Sequence, residues 1–455
     1  MNKIPSFAGT FYPDNPDELS RLLSSCMQKQ KNEIKSQAII VPHAGIYYSG
    51  HCAMSAYQHL ELNENIFIIA PSHHHQFNNI AFPEYTYFDT PFGSIEVNNR
   101  LINELAEKYP CIISNEVFNN EHSIEVQLPF LQYLFSPKTQ SAVEFMKGIK
   151  KIGRKIKIIP ILTGNCDYRL ISDLISNYWE NSSFVISSDL SHFYNIEQAQ
   201  QIDTYTATII ETGKIEYFQR QQACGLVGIM GLVNFANHND CSLIRKMLYN
   251  SGNISNDTSK VVGYGSWFLY TDTKNDYIEN YYSTYIMDIV RRTLMLAFNN
   301  EKFIPNSIPS VLTQHGASFV TIKKNGELRG CIGSIYPTKP LILDIIDNTL
   351  NAGFYDQRFG PLKEDELQNL DITVSILSSL ERVTYKDEKD LLSKINPYGI
   401  IISEGERRAV YLPEVWEQLP EKEVFFNSLK EKAGLLPNYF SKRMEVYKFT
   451  TSIIE

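Results

Sequence analysis

What the chain lacks narrows the field before anything it contains. Seven cysteines, at positions 26, 52, 111, 166, 224, 241 and 331, are scattered through 455 residues, and no two form a Cys-x-x-Cys pair. A disulfide framework and a zinc ribbon are therefore excluded as organising devices, and a reducing compartment is expected. Positive charge is in the minority, with 42 Lys and Arg against 51 Asp and Glu and a formal net charge of −9. No global positive field exists to hold nucleic acid or an anionic membrane. Long apolar runs are missing as well. Those around Ile39 to Val41 and Ile66 to Ala70 reach about five residues, against the roughly 18 that span a bilayer. Met1 to Tyr12 has one lysine and no apolar core of the kind a secretory signal needs. The expectation is a cytoplasmic protein with neither nucleic acid nor membrane among its partners.

What is present is ordinary globular composition, 43% hydrophobic and 20% charged, in a chain long enough for two to four domains. Asn15-Pro16-Asp17-Glu18 reads as a capped helix start, followed by one apolar face made of Leu19, Leu22, Leu23, Cys26 and Met27. Four short β-rich runs follow, Ala38 to Val41, Ile66 to Ala70, Ile156 to Leu162 and Phe184 to Ile186, separated by stretches of helical period. Apolar strands without alternation, spaced by helices, predict a buried, mostly parallel sheet in an α/β domain. A final aromatic strand, Val261 to Tyr270, runs into the polar Thr271 to Asp276, which places a boundary between domains 1–273 and 274–455. Beyond it lie a helical stretch from Tyr277 to Phe298, two β-rich runs flanking Asn325-Gly326, and an alternating strand from Asp371 to Leu377. An Asn-Gly between two such runs predicts a hairpin, so the second domain is expected to be α+β with antiparallel sheet. The basic cluster Lys147, Lys150, Lys151, Arg154, Lys155 and Lys157 has few aromatic neighbours that could stack bases, and reads as a solvated insertion.

The ends of the first-domain strands carry the chemistry. Three of them run into Pro42-His43-Ala44-Gly45, Pro71-Ser72-His73-His74-His75 and Ser187-Ser188-Asp189-Leu190-Ser191-His192. In open α/β sheets, ligands bind beyond the carboxyl ends of strands. His43 and His73, each just after a strand, suit iron, copper or zinc. Cys224, just ahead of the apolar helical stretch Leu226 to Phe235, is the third candidate, because a helix start favours the thiolate that binds metal. His43, His73 and Cys224 would leave coordination positions open for water, oxygen or substrate. Taken singly, each has a plainer reading: a structural histidine, a polar loop, a small buried thiol. His192, three residues after Asp189, could move protons beside such a site, oriented by that carboxylate; the alternative is a helix start capped by Asp189 or Ser191. In Glu121-His122-Ser123-Ile124-Glu125, His122 is a candidate supporting group behind the metal ligands, while Glu125 reads equally well as a helix-turn charge.

These motifs, in this order, resemble the Memo (mediator of cell motility) family over about residues 4 to 271. The resemblance implies a fold like that of class III extradiol dioxygenases, with His43, His73 and Cys224 as metal ligands and His192 in the place of the dioxygenase acid/base histidine. Those dioxygenases use two histidines and a carboxylate, whereas this chain offers Cys224, so ring cleavage is not carried over. The remainder, about 276 to 455, resembles the AMMECR domain family. The likeness rests on Leu328-Arg329-Gly330-Cys331-Ile332-Gly333, on Asp356-Gln357-Arg358-Phe359 with Glu366-Leu367, and on Tyr411-Leu412-Pro413-Glu414-Val415 with Lys432-Ala433-Gly434-Leu435. The pairing of the two is similar to the AmmeMemoRadiSam set, which implies a radical S-adenosylmethionine (SAM) protein as partner.

Within the second domain Cys331 lies between two glycines that admit close approach of backbone or ligand, with Arg329 and Arg358 as cationic neighbours for a substrate. Its alternative is a packed core thiol. Three functions compete. The first is a metal-dependent enzyme, with iron (Fe2+) ahead of copper or zinc, performing oxidative or radical-linked modification of a small molecule or peptide. The second is a peptide- or phosphopeptide-binding module in a dioxygenase-like cleft, and the third is copper or iron handling.

Overall fold

Four apolar runs become the centre of one sheet. In the computed structural model, which describes residues 1–28, 34–135, 156–305 and 308–455, strands β1 (Ala38–Val41), β2 (Asn65–Pro71), β3 (Lys157–Thr163) and β4 (Ser182–Ser187) pair in parallel in the spatial order β3-β2-β4-β1. Nearly every side chain along them is buried. This is why the sequence runs apolar there without alternation, since a parallel sheet is covered on both faces. Helix α2 (Ile46–Tyr57) packs on β1, and a later helix, Leu226–His238, packs on β2 and β4. The sheet grows antiparallel beyond β1 through Val261–Tyr270, which also pairs with His192–Tyr194 and Ser242–Asn250. On the opposite side β3 is followed by Gly93–Val97 and Tyr87–Thr90. The result is a mixed, mostly parallel sheet with helices, the α/β class expected. Because β1, β2 and β4 run the same way, Pro42-His43, Ser72-His73 and Ser188-Asp189 leave the sheet at one edge.

Local signals set the flanking pieces. Helix α1 (Pro16–Cys26) is capped by Asn15, whose side chain accepts the backbone N–H groups of Asp17 and Glu18 at 3.0 and 3.1 Å. Its buried face is Leu19, Leu23 and Cys26. The basic cluster falls outside the described residues except for Lys157, which pairs with Glu96 at 3.0 Å.

The chain divides into two compact units, Met1–Lys274 and Asn275–Glu455. In the second, β5 (Ser318–Lys324) and β6 (Glu327–Gly333) form the hairpin, and Asn325 and Gly326 take φ values of 52° and 83°. Two consecutive positive φ angles are what the favoured two-residue turn demands. β7 (Leu370–Leu377) lies beside β5, followed by Thr451–Ile454, giving a four-stranded antiparallel sheet. A second antiparallel sheet contains β8 (Gly399–Glu404) and β9 (Arg407–Tyr411). Beneath it Trp416 stacks on Phe425, ring centroids 3.6 Å apart, in a core with Phe426, Leu429 and Ile400. Helix α3 (Lys422–Lys432) contributes three of those side chains, Phe425, Phe426 and Leu429. This unit is α+β, as expected. Among the described residues no helix is long and apolar enough to cross a membrane.

Candidate metal centre

The proton inventory around His43 fixes its tautomer. The ring is fully buried, and Nδ1 lies 2.8 Å from Ser187 Oγ. That hydroxyl has one proton, and it goes to the Ser123 carbonyl at 2.6 Å, while Gln127 Nε2 donates to the same oxygen at 2.8 Å. Ser187 Oγ must therefore accept from His43, so Nδ1 carries the hydrogen and Nε2 keeps its lone pair. Nε2 sits 3.2 Å from Cys224 Sγ. The loop itself is pinned by Asp189, whose Oδ1 accepts the backbone N–H groups of His43 at 2.8 Å and Ala44 at 3.3 Å.

His73 is set in the same way by a carboxylate. Glu121, 2% exposed, accepts the His73 Nδ1–H at 2.9 Å and its backbone N–H at 2.7 Å, with the Ser123 N–H at 3.0 Å. Burial opposes the charge on Glu121. The hydrogen bonds from His73 and the backbone donors outweigh it and hold the carboxyl down at about 2. His73 is thus an imidazole backed by an anion, with Nε2 as the lone-pair nitrogen, an arrangement that orients metal-binding histidines. His122 follows Glu121 in a one-turn helix, and its Nδ1 is 3.5 Å from the same carboxylate. Its ring lies 4.6 Å from His73 and 5.2 Å from His43, flanked on the other side by Phe11 at 4.9 Å. One ligand atom from each of His43, His73 and His122 falls within 4.8 Å of the others, in a gradient from the buried His43 to the exposed His73.

The centre collects neutral donors. Burial lowers His43 well below the usual imidazole range, and burial together with His43 and His73 brings His122 to about 4. Cys224 departs from the expectation of a thiolate favoured by the helix start. The helix begins at Leu226 with Gly225 as its cap, and burial first, then the nearby Asp189 charge, push the thiol upward. Without a cation the sulfur is a thiol, with the Asp189 N–H at 3.3 Å. Neutral imidazoles with free lone pairs beside a deprotonatable sulfur are a donor set suited to a divalent transition metal.

His192 comes close but is held differently from the expectation. Its Nδ1 bonds the Leu190 carbonyl at 2.8 Å rather than the Asp189 carboxylate, which is occupied by the His43 loop. The carbonyl accepts, so the hydrogen is on Nδ1 here too. His192 opens the strand His192–Tyr194, and the next helix starts later, capped by Asn195. His192 lies within electrostatic reach of both His43 and Asp189. Asp203 props this loop by accepting the Ser191 N–H at 3.0 Å, and burial raises it to about 6.

Sequence reasoning missed the supports. Glu121, Ser187 and Gln127 set the imidazoles, and Glu125 takes four donors, Lys3 Nζ at 3.1 Å, the Ser6 and Phe7 N–H groups at 2.9 and 2.7 Å, and the Tyr12 hydroxyl at 2.8 Å. That knot clamps the N-terminal segment, with Phe7 and Phe11, against His122. The available signal was two carboxylates and a histidine in five residues, Glu121 to Glu125.

In the second unit the two candidate arginines part ways. Arg329 spends its donors on Glu366 at 3.1 and 3.2 Å and on the carbonyls of Gly360 and Pro361. Arg358 instead donates to the Cys331 carbonyl at 3.0 Å.

A mixed α/β sheet with three imidazoles gathered at one strand edge is compatible with a metal-dependent, dioxygenase-like protein. The profile of the Memo-like protein family matches residues 3–268, and that of AMMECR1 matches residues 287–454. A MEMO1 family protein of Aquifex aeolicus is 32% identical over 282 residues, 58% of this chain and 98% of the relative. One from Thermoplasma volcanium is 32% identical over 282 residues, covering 58% and 97%. A solved structure, of an uncharacterized protein from Pyrococcus horikoshii, is 28% identical with a TM-score of 0.36, covering 37% of this chain and 88% of its own. The chain belongs to the Memo-like protein family and carries an AMMECR1 domain behind the Memo domain.

Proposed function

We propose that the N-terminal unit is a non-haem metal-dependent enzyme, with Fe(II) as its ion, carrying out oxidative or radical-linked modification of a small molecule or peptide. A radical SAM protein is its proposed partner. The observation that carries this reading is the donor set: His43, His73 and His122 within mutual reach, with Cys224 Sγ 3.2 Å from His43. His43, His73 and Cys224 would be the ligands, with His122 an alternative third imidazole. Bound iron would supply open coordination positions and one-electron chemistry. The chain's own residues do the rest. Glu121 and Ser187 hold two imidazoles in register, Asp189 fixes the His43 loop, and His192 offers Nε2 as a proton acceptor, with Nδ1 tied to Leu190.

Nitric oxide added to the iron-loaded protein tests the open positions without knowledge of the substrate. A high-spin iron–nitrosyl paramagnetic signal is expected, and its absence from protein that retains iron would overturn the reading. The partnership is tested by co-purification with a radical SAM protein encoded in the same cell; no association and no mutual effect on turnover would remove it. The soft sulfur beside His43 favours a second reading, copper handling, in which metal exchanges without turnover. Tighter Cu(I) than Fe(II) binding, with no oxidative activity, would favour it.

A further inference from the structure

His192 and Asp203 meet the same peptide unit from opposite ends. The Leu190 carbonyl accepts the His192 Nδ1–H at 2.8 Å, and the N–H of that same peptide, which belongs to Ser191, donates to Asp203 Oδ1 at 3.0 Å. The unit is held from the side by Gly263 of the strand Val261–Tyr270, which accepts the Leu190 N–H and donates its own N–H to the Ser191 carbonyl, both at 2.8 Å. Gly263 also lets the carboxylate in, since a Cβ there would lie 2.0 Å from Asp203 Oδ2. Asp203 projects from the helix Ile196–Thr212, is 3% exposed, and forms no ion pair among the described residues. A carboxylate this deep and without a cation is costly, and the fold directs it at one peptide N–H. An anion on the N–H end of an amide polarises it and makes its oxygen a stronger acceptor, so the two hydrogen bonds reinforce each other.

We propose that Asp203 is a positioning residue for His192, acting through the Leu190–Ser191 peptide: carboxylate, peptide and imidazole form one relay that keeps the hydrogen on Nδ1 and leaves Nε2 as the basic nitrogen. This role rests on the proposed function, in which His192 Nε2 accepts a proton. As Nε2 takes that proton the ring becomes positive, and the anion one peptide away stabilises it, while the intervening amide keeps the Nδ1 proton from passing to the carboxylate. Glu121 serves His73 by direct contact; Asp203 serves His192 at one remove.

The test reads the His192 tautomer by nitrogen NMR in the full chain, labelled with 15N-histidine and freed of metal by chelation, so it needs neither metal nor substrate. Spectra are recorded at pH 8, where Asp203, raised to about 6 by burial, is charged; the signal lost in His192→Gln assigns the ring. Native protein is expected to show the Nδ1–H tautomer. Asp203→Asn keeps the size of the side chain and an oxygen for the Ser191 N–H but removes the charge, and the ratio of Nδ1–H to Nε2–H should fall about fivefold, as the weakening of one ordinary hydrogen bond gives. That variant should bind metal as the native protein does and unfold at no lower temperature, which separates the effect from a fold defect. Asp203→Ala, which removes the acceptor altogether, should lower the ratio at least as far. Native protein with the hydrogen on Nε2, or a ratio unchanged in both variants, would overturn the relay. A lowered ratio with turnover that survives His192→Gln would keep the relay and remove the proton-acceptor role instead, so the two failures are told apart.

Discussion

The metal centre of the first unit and the ionic clusters of the second treat polarity in opposite ways. In the first, burial strips charge from the groups that matter: His43 and His122 are held neutral, and the Cys224 thiol is pushed up. At this centre Glu121 accepts its hydrogen bonds from His73 and backbone N–H groups rather than from a lysine or arginine. In the second unit the charges persist and pair with each other. Arg358 holds Asp356 at 2.7 Å, and Arg329 and Lys324 hold Glu366 at 3.1 and 3.0 Å. The difference teaches what each unit asks of a ligand. Uncharged donors gain most from an incoming cation, whereas charges already paired with each other have less to gain from one.

Breaking the buried clamp of the first unit should produce the largest effect. Glu125→Ala leaves Lys3 buried without its 3.1 Å partner and three further donors unmet, and a loss of about 3–5 kcal/mol is expected in denaturant unfolding. Glu445→Ala in the second unit removes an exposed pair with Arg382 and should cost under about 1 kcal/mol. Equal losses would erase the contrast between the buried pair of the first unit and the exposed pair of the second.

The pH dependence of metal affinity sharpens it further. His43 and His122 are already neutral at pH 6, so they release no protons on binding, while the raised Cys224 thiol must release one. Affinity should then rise about tenfold per pH unit, or about 100-fold from pH 6 to 8. A flat profile over that range would mean that the histidines bind without the sulfur.

Glu121→Gln should weaken metal binding by about 10- to 100-fold by loosening His73, measured by competition titration. Affinity within twofold of the native protein would make Glu121 a fold element only. The smallest change is expected for His192→Gln, which should retain full metal content but lose turnover, because its Nδ1 is tied to Leu190. Loss of metal in that variant would make His192 a ligand.

Much of this was legible in the sequence because the signals were local. Unalternating apolar runs gave the parallel strands, Asn325-Gly326 gave the hairpin, and Asn15-Pro16 gave a capped helix. His43 and His73 were legible because a strand's end fixes where the next residue points. The supports were not, since Ser187, Gln127 and Glu121 act through tertiary hydrogen bonds that leave no periodic trace. The orientation of Asp189 failed for a related reason: sequence proximity pointed it at His192, while the fold brings the His43 backbone, 146 residues away, to its carboxylate.

The central claim is that the strand-edge histidines and Cys224 hold a metal. Elemental analysis of the full chain purified without oxygen, beside His43→Ala prepared identically, tests it most directly. The account predicts one iron per chain in the native protein and less than a tenth of that in the variant, with Cys331→Ser keeping the native content. Iron that is absent from the native protein, or equally present in His43→Ala, would contradict it.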